Sequence, residues 1–478
     1  MTDQPTPERR KKLYIETVGC QMNLLDSELV VAKMRNEGYE LTDDLNQADA
    51  IFYNTCSVRQ HAEDKIYSAL GRIKRIKERK PEVTIGVLGC MAQKDQDTIF
   101  RRAPHVDIVV GPGQLAKVPE LVEKARAESV HQIAVSRART DGSIDSIAAS
   151  FENYDADREP SMRPSPFQAF IRVMMGCDKF CTYCIVPSVR GPEQSRPPGV
   201  ILAEARLLAD QGVKEITLLG QTVNSYRHRQ PDGRSSRLSD LLDQIHDIAG
   251  IERIKFITNF PNDMTDDLLQ AVHDLPKVSR YIHVPAQSGC DQVLKRMKRM
   301  YTTAFYEEML ARTRATIPDV AVSSDFIVGF CGENEASFQR TVDLVERSRF
   351  KNSFIFKYSP REGTKADGLY PDDVPEPVKK RRNKELLAVQ TAICLEDHQK
   401  MIGRTVEVLV EGQSRSTARR EGWHGISQMV GRTNCDRIVV FEANERLIGQ
   451  FVQVRVEDAS AVTLFGRVEI AERIATPA

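Results

Sequence analysis

Hydrophobic positions follow two rhythms along most of this 478-residue chain, and a third pattern replaces them near its end. Over 11–126 short apolar runs (LYIETV, AIFYN, TIGVLG) alternate with stretches such as DSELVVAKMRNEG and HAEDKIYSALGRIKRIKERK, whose apolar residues recur every three or four positions. The runs predict strands, the spaced pattern predicts helices, and their alternation predicts a parallel sheet with covering helices. Over 127–165 the rhythm dissolves into Ser, Asp, Arg and Pro, ending in REPSMRPSP, which predicts a linker. It resumes over 166–400, with strands expected at FQAFIRVM, EITLLG, RIKFIT, YIHVP, VSSDFIVGF and SFIFKY. Six strands are too few for a closed eight-stranded barrel, so an open, partial (βα)6 barrel is expected. A helix at about 375–401 leads to 401–470, where TVEVLVEG, RIVVFE, QFVQVRVEDA and VTLFGRVEI are parted by Gly and Asn turns. That spacing predicts a small all-β barrel closing an otherwise α/β chain.

Composition narrows the setting. The length suffices for two or three domains with their own cores. Ten cysteines are too few for a disulfide scaffold, and MTDQPTPERRKK has no apolar stretch to serve as a signal peptide. No apolar run approaches the ~18 residues of a membrane span. The expectation is a soluble, cytoplasmic protein in a reducing compartment, without membrane contact, where clustered cysteines bind metal or do redox chemistry. Lys plus Arg and Asp plus Glu are 67 each, so any affinity for nucleic acid must come from local patches. Candidate patches are GRIKRIKERK at 71–80, KRMKRM at 295–300 and KKRRNK at 379–384.

Cysteine placement changes the picture. GCDKFCTYC at 176–184 gathers Cys177, Cys181 and Cys184 in one loop after the first barrel strand, at the strand end where such folds place chemistry. A structural zinc site wants four protein ligands. Three thiolates on a four-iron cubane leave one iron open, and an open iron can chelate the amino and carboxylate groups of S-adenosylmethionine. Cys20, Cys56 and Cys90 each end an apolar run, LYIETVGC, AIFYNTC and TIGVLGC. In a parallel sheet those runs finish on one edge, so a second three-thiol site is expected there. Cys290, Cys331, Cys394 and Cys435 are scattered and read as packing residues.

The motifs GCQMN at 19–23, NTCSVR at 54–59, GCMAQ at 89–93, GCDKFCTYCIVPSVRG at 176–191 and LLGQTVN at 218–224 resemble the radical methylthiotransferase family over nearly the whole chain. GCQMN and NTCSVR resemble the branch that acts on dimethylallyl-adenosine in tRNA, more than those acting on threonylcarbamoyl-adenosine or on a ribosomal protein. The resemblance implies an N-terminal methylthiotransferase domain over 11–126, a radical core over 166–400 and an RNA-gripping TRAM domain over 401–470. It implies two 4Fe-4S clusters. The one on Cys177, Cys181 and Cys184 cleaves S-adenosylmethionine; the one on Cys20, Cys56 and Cys90 provides sulfur that a second S-adenosylmethionine methylates. The implied partners are a tRNA anticodon stem-loop carrying dimethylallyl-adenosine and an electron donor such as flavodoxin, with the enzyme a monomer. One departure is GFCGE at 329–333, where Cys331 takes a position the family usually gives to Pro.

Further cofactor-binding candidates lie at strand ends: Gln221 and Asn224 after EITLLG, Gln287 after YIHVPA, Asp325 within SSDFIVGF, and Tyr183 beside the cofactor's adenine. Phe441 and Phe465 are candidates for base stacking. The competing reading from a different class is a non-catalytic, zinc-bearing RNA-binding protein.

Overall fold

The computed structural model describes residues 10–57, 60–136, 158–230, 233–414 and 427–469. The N-terminal part is a six-stranded sheet of β1 (Lys11–Val18), β2 (Tyr39–Leu41), β3 (Ala50–Thr55), β4 (Thr84–Gly89), β5 (Ile108–Val110) and β6 (Gln132–Ala134). All pairings are parallel, in the order β2-β1-β3-β4-β5-β6. β3 and β4 are buried throughout, as continuous apolar runs in a parallel sheet must be. Helices α1 (Gln21–Asn36), α2 (Gln60–Arg79), α3 (Cys90–Asp95) and α4 (Val118–Glu128) cover the sheet. β6 lies inside the stretch read as linker, so the sheet extends beyond 126; residues 137–157 of that stretch lie outside the described residues.

The six expected core strands all form: β7 (Gln168–Arg172), β8 (Glu215–Leu219), β9 (Arg253–Phe256), β10 (Tyr281–His283), β11 (Ala321–Val328) and β12 (Asn352–Lys357). They split into two parallel triplets, joined by the bridge Ile254–Val278 next to β10, and make an open, partial barrel. The short helix α5 (Val186–Val189) follows the cysteine loop, and α6 (Glu376–Gln399) leads out of the core.

The last part is a closed five-stranded barrel of β13 (Thr405–Gln413), β14 (Ser427–Thr433), β15 (Ile438–Ala443), β16 (Phe451–Ala459) and β17 (Thr463–Val468). Its core contains Phe441, which is 2% exposed and therefore cannot stack on a base; Phe465, at 37%, faces outward. The barrel docks on the strand-start end of the core, where Lys255 pairs with Asp436 and Arg253 donates to the Arg432 carbonyl. The opposite contact is made by α1. Its Glu28 takes Arg158 and Arg163 of the segment that leads into the core, and its Asp26 takes Arg172 and Arg190 of the core, all buried.

Candidate active site

Register brings the N-terminal cysteines together. Val18 pairs with Thr55 and Thr55 with Gly89, so three neighbouring strands end in step. Cys20, Cys56 and Cys90 follow within two residues of those ends. The turns are interlocked. Asn54 donates from Nδ2 to the Asn23 carbonyl (2.9 Å) and to Ser27 Oγ (2.9 Å), and Asn23 Oδ1 accepts from the Cys20 amide (3.3 Å). Gly89 has φ +89, and a side chain there would strike Asn54. A hydrogen bond with Cys56 is the main cause that lowers the Cys20 thiol to about 6, with help from Arg190 against the opposing effect of burial. Cys90 is pushed up by burial and drawn back by Arg190, whose Nε donates to its sulfur at 3.2 Å.

The second trio sits in the loop after β7. Gly176 allows the loop to turn: its φ is +81, and a Cβ would lie 1.8 Å from the Pro192 carbonyl oxygen. The Cys177 amide donates to the Gly191 carbonyl and the Cys184 amide to the Cys181 carbonyl. Cys177 is raised to about 11, first by burial and also by neighbouring charge that includes Cys181. Cys184 is raised to about 12, first by burial and then by Cys181, with Cys177 adding to it. Each of the outer thiols thus feels its partners. Arg299 donates from Nη1 to Cys181 Sγ (3.2 Å) and is fixed by Tyr301 Oη and the Pro285 carbonyl.

The donor chemistry fits an iron–sulfur group at each trio: converging thiols, one guanidinium on a sulfur, and backbone donors that fix the loops. Among the described residues no three His, Cys, Asp or Glu side chains are arranged around a single metal ion.

The open barrel encloses a cavity of about 930 Å³, lined by Cys20 and Cys56 on one side and by Thr258, His283, Asp325 and Phe354 on another. Glu411, Arg432 and Asp436 of the terminal barrel form its floor. Asp325 accepts from His283 Nε2 at 3.0 Å, and Phe354 is 50% exposed, edge-on to that imidazole. Thr258 and Gln287, at the ends of β9 and β10, hold φ of +69 and +72, and Phe180 in the cysteine loop holds +52. Such backbone strain in non-glycine residues concentrates at functional sites.

The remaining candidates divide. Gln221 Oε1 is buried and has no hydrogen-bond partner among the described residues, leaving it free for a ligand. Asn224 is not: its side chain donates to the Phe260 carbonyl (2.9 Å) and accepts from the Phe260 amide (2.8 Å), so it shapes the loop after β9. Tyr183 packs edge-on against Phe330 in a cluster with Cys290 and Cys331, where Cys331 fills space as expected. Two of the expected phosphate patches are partly structural. Lys379 is spent on Asp372 and Arg382 on Glu333, while Arg299 of KRMKRM serves Cys181. Sequence reading missed Arg190, Arg299, His283, Asn23 and Asn54 as site-building residues, although all five lie in stretches it singled out.

Comparison with known proteins agrees with this architecture. Residues 12–111 match Uncharacterized protein family UPF0004, residues 171–345 the Radical SAM superfamily, and residues 399–468 the TRAM domain. The fold is shared with the radical S-adenosylmethionine methyltransferase TsrM from Kitasatospora setae, solved with cobalamin and a 4Fe-4S cluster (TM-score 0.53, 12% identity, 75% of this chain and 77% of that one). Fold and family matches together define a three-part radical S-adenosylmethionine protein, a class that uses S-adenosylmethionine and a 4Fe-4S cluster. Among curated relatives, a tRNA-2-methylthio-N(6)-dimethylallyladenosine synthase of Rhodopirellula baltica is 59% identical, covering 97% of this chain and 96% of its own. One from Acidovorax sp. is 45% identical over 97% and 98%. The chain belongs to the tRNA-2-methylthio-N(6)-dimethylallyladenosine synthase family.

Proposed function

We propose that the protein transfers a methylthio group to C2 of N6-dimethylallyladenosine in tRNA, next to the anticodon. The observation that carries this reading is the in-step ending of β1, β3 and β4, which brings Cys20, Cys56 and Cys90 to one sheet edge, with Cys20 and Cys56 lining the cavity. The names of near full-length relatives point the same way. A C2–H of adenine is not acidic enough for a side-chain base, so the reaction draws on cofactor chemistry. When bound, a 4Fe-4S cluster on Cys177, Cys181 and Cys184 supplies the electron that cleaves S-adenosylmethionine, and a second on Cys20, Cys56 and Cys90 supplies sulfur for a second S-adenosylmethionine to methylate.

The chain's own residues prepare the rest. Arg190 and Arg299 bring positive charge to the thiol sites and offset the charge that thiolates accumulate. Phe354, with Phe356 and Ile257 on the same cavity wall, offers apolar surface for the dimethylallyl group, worth roughly 1–3 kcal/mol on burial. The His283–Asp325 pair presents polar atoms to the base beside it. Gln221 and Gln287 face S-adenosylmethionine in this reading. The terminal barrel, with Phe465 and exposed Arg404, Arg455 and Arg467, grips the RNA. The enzyme works as a monomer with a flavodoxin-like electron donor.

Metal and product analysis tests the assignment. Anaerobically purified protein should carry about eight irons with matching sulfide. Replacing Cys177, Cys181 and Cys184 with Ala should leave about four irons and abolish deoxyadenosine formation. Replacing Cys20, Cys56 and Cys90 should preserve deoxyadenosine formation but stop methylthiolation. Zinc without labile sulfide, or methylthiolated tRNA from the second variant, would refute the reading.

A further inference from the structure

Arg190 belongs to one site by sequence and to the other by contact. It follows α5 in the segment that carries Cys177, Cys181 and Cys184, yet its guanidinium enters the N-terminal domain. Nε donates to Cys90 Sγ at 3.2 Å, and Nη2 donates to Asp26 Oδ2 at 2.9 Å. The other oxygen of Asp26 accepts from Arg172 at 2.8 Å, so the carboxylate is held between two cations. All three side chains are buried, at 4% exposure or less. Ile185, just before α5, and Val189, its last residue, pack on Cys90 as well. Residues 185–190 therefore join Cys184 of one trio to Cys90 of the other through direct contact.

We propose that Arg190 is a positioning residue that latches the two thiol sites together and sets the reduction potential of the cluster held by Cys20, Cys56 and Cys90. This rests on the reading of those cysteines as cluster ligands. Reduction adds one negative charge at the site. A buried cation donating to a ligand sulfur stabilises the reduced form more than the oxidised form, because charges interact strongly where water is excluded. Hydrogen bonds to cluster sulfurs are a recognised control on such potentials. Asp26, a buried anion one contact further out, acts with the opposite sign. Arg190 therefore raises the potential and Asp26 lowers it.

The opposite signs make the test. Full-length protein carrying Cys177→Ala, Cys181→Ala and Cys184→Ala retains only the N-terminal irons, about four. Its potential is measured by anaerobic redox titration with electron paramagnetic resonance, alone and with Arg190→Gln, Arg190→Lys or Asp26→Asn added. Arg190→Gln should disfavour reduction at least tenfold, a fall of 59 mV for one electron. Arg190→Lys, which keeps the charge, should recover at least half of that shift, and Asp26→Asn should move the potential upward. A residue that merely fills space would not give shifts of opposite sign at unchanged iron content. If Arg190→Gln fails to hold iron, Asp26→Asn decides: a rise supports the inference and an unmoved potential overturns it. Unmoved potentials, or shifts of one sign in iron-loaded variants, overturn the inference alone. A parent protein without iron overturns the cluster reading and this inference with it.

Discussion

Cys20 and Cys184, one from each trio, meet opposite surroundings. Cys20, on the cavity wall, is brought to about 6 chiefly by its hydrogen bond with Cys56, and Arg190 adds to this. Cys184 is raised to about 12, first by burial and then by the neighbouring Cys181. Only thiolate attacks an alkylating reagent, so the two should respond to pH differently in iron-free protein. Cys20 should gain its full iodoacetamide reactivity as pH rises through about 6, whereas Cys184 should still be gaining reactivity above pH 9. Peptide mass spectrometry across that range reads both profiles, and a shared profile would contradict the structure. The grouping of the cysteines was legible because Cys20, Cys56 and Cys90 each close an apolar run and Cys177, Cys181 and Cys184 share one loop. Their electrostatics were not, because Cys56 and Arg190 reach Cys20 from distant parts of the chain through strand register and domain contact.

The helix α1 shows the same division at the scale of an element. Its apolar spacing predicts a helix with a solvated side, but the structure buries Asn23, Asp26, Ser27 and Glu28 along with the apolar residues. The polar side is covered by arginines of the core and of the segment leading into it, and Glu28 alone accepts from Arg158 at 2.8 Å and Arg163 at 3.1 Å. Removing one partner from a buried ionic network strands the others, at a cost of about 3–5 kcal/mol. Glu28→Ala should therefore loosen the N-terminal domain from the core, seen as an earlier melting transition and faster proteolysis between the two. A melt like that of the parent would show that Arg158 finds enough compensation in Glu204, 2.6 Å away. Long runs such as AIFYN and TIGVLG were readable as strands, since period and length agree. β2, β5 and β6 span three residues each, too short for any period to emerge, and β6 is hidden in polar sequence.

Across the whole molecule the terminal barrel is more than an appended module, because its Glu411, Arg432 and Asp436 line the cavity of the core. Lys255 pairs with Asp436 at 3.2 Å, Lys351 donates to the Asp436 carbonyl at 2.6 Å, and Arg253 lies over the Phe451 ring at 4.7 Å. Truncation before β13 would strip these contacts and leave Arg253 and Lys255, both nearly buried, with Glu215 as their shared carboxylate. A truncated protein should melt earlier, so its loss of tRNA affinity would not by itself locate the RNA. Arg404, Arg455 and Arg467 allow a cleaner test. They are exposed, and the ion pairs that Arg455 and Arg467 make with Glu469 and Glu457 are surface pairs, worth about 0–1 kcal/mol. Replacing all three with Ala should leave the melt and iron content near those of the parent. If each neutralises one phosphate, the plot of log affinity for tRNA against log salt should become shallower by about 2, at ~0.7 per phosphate. An unchanged slope would move the grip to the exposed cations Arg72, Lys74 and Arg75 of α2, and the terminal barrel would then serve the reaction only as the floor beneath His283 and Asp325.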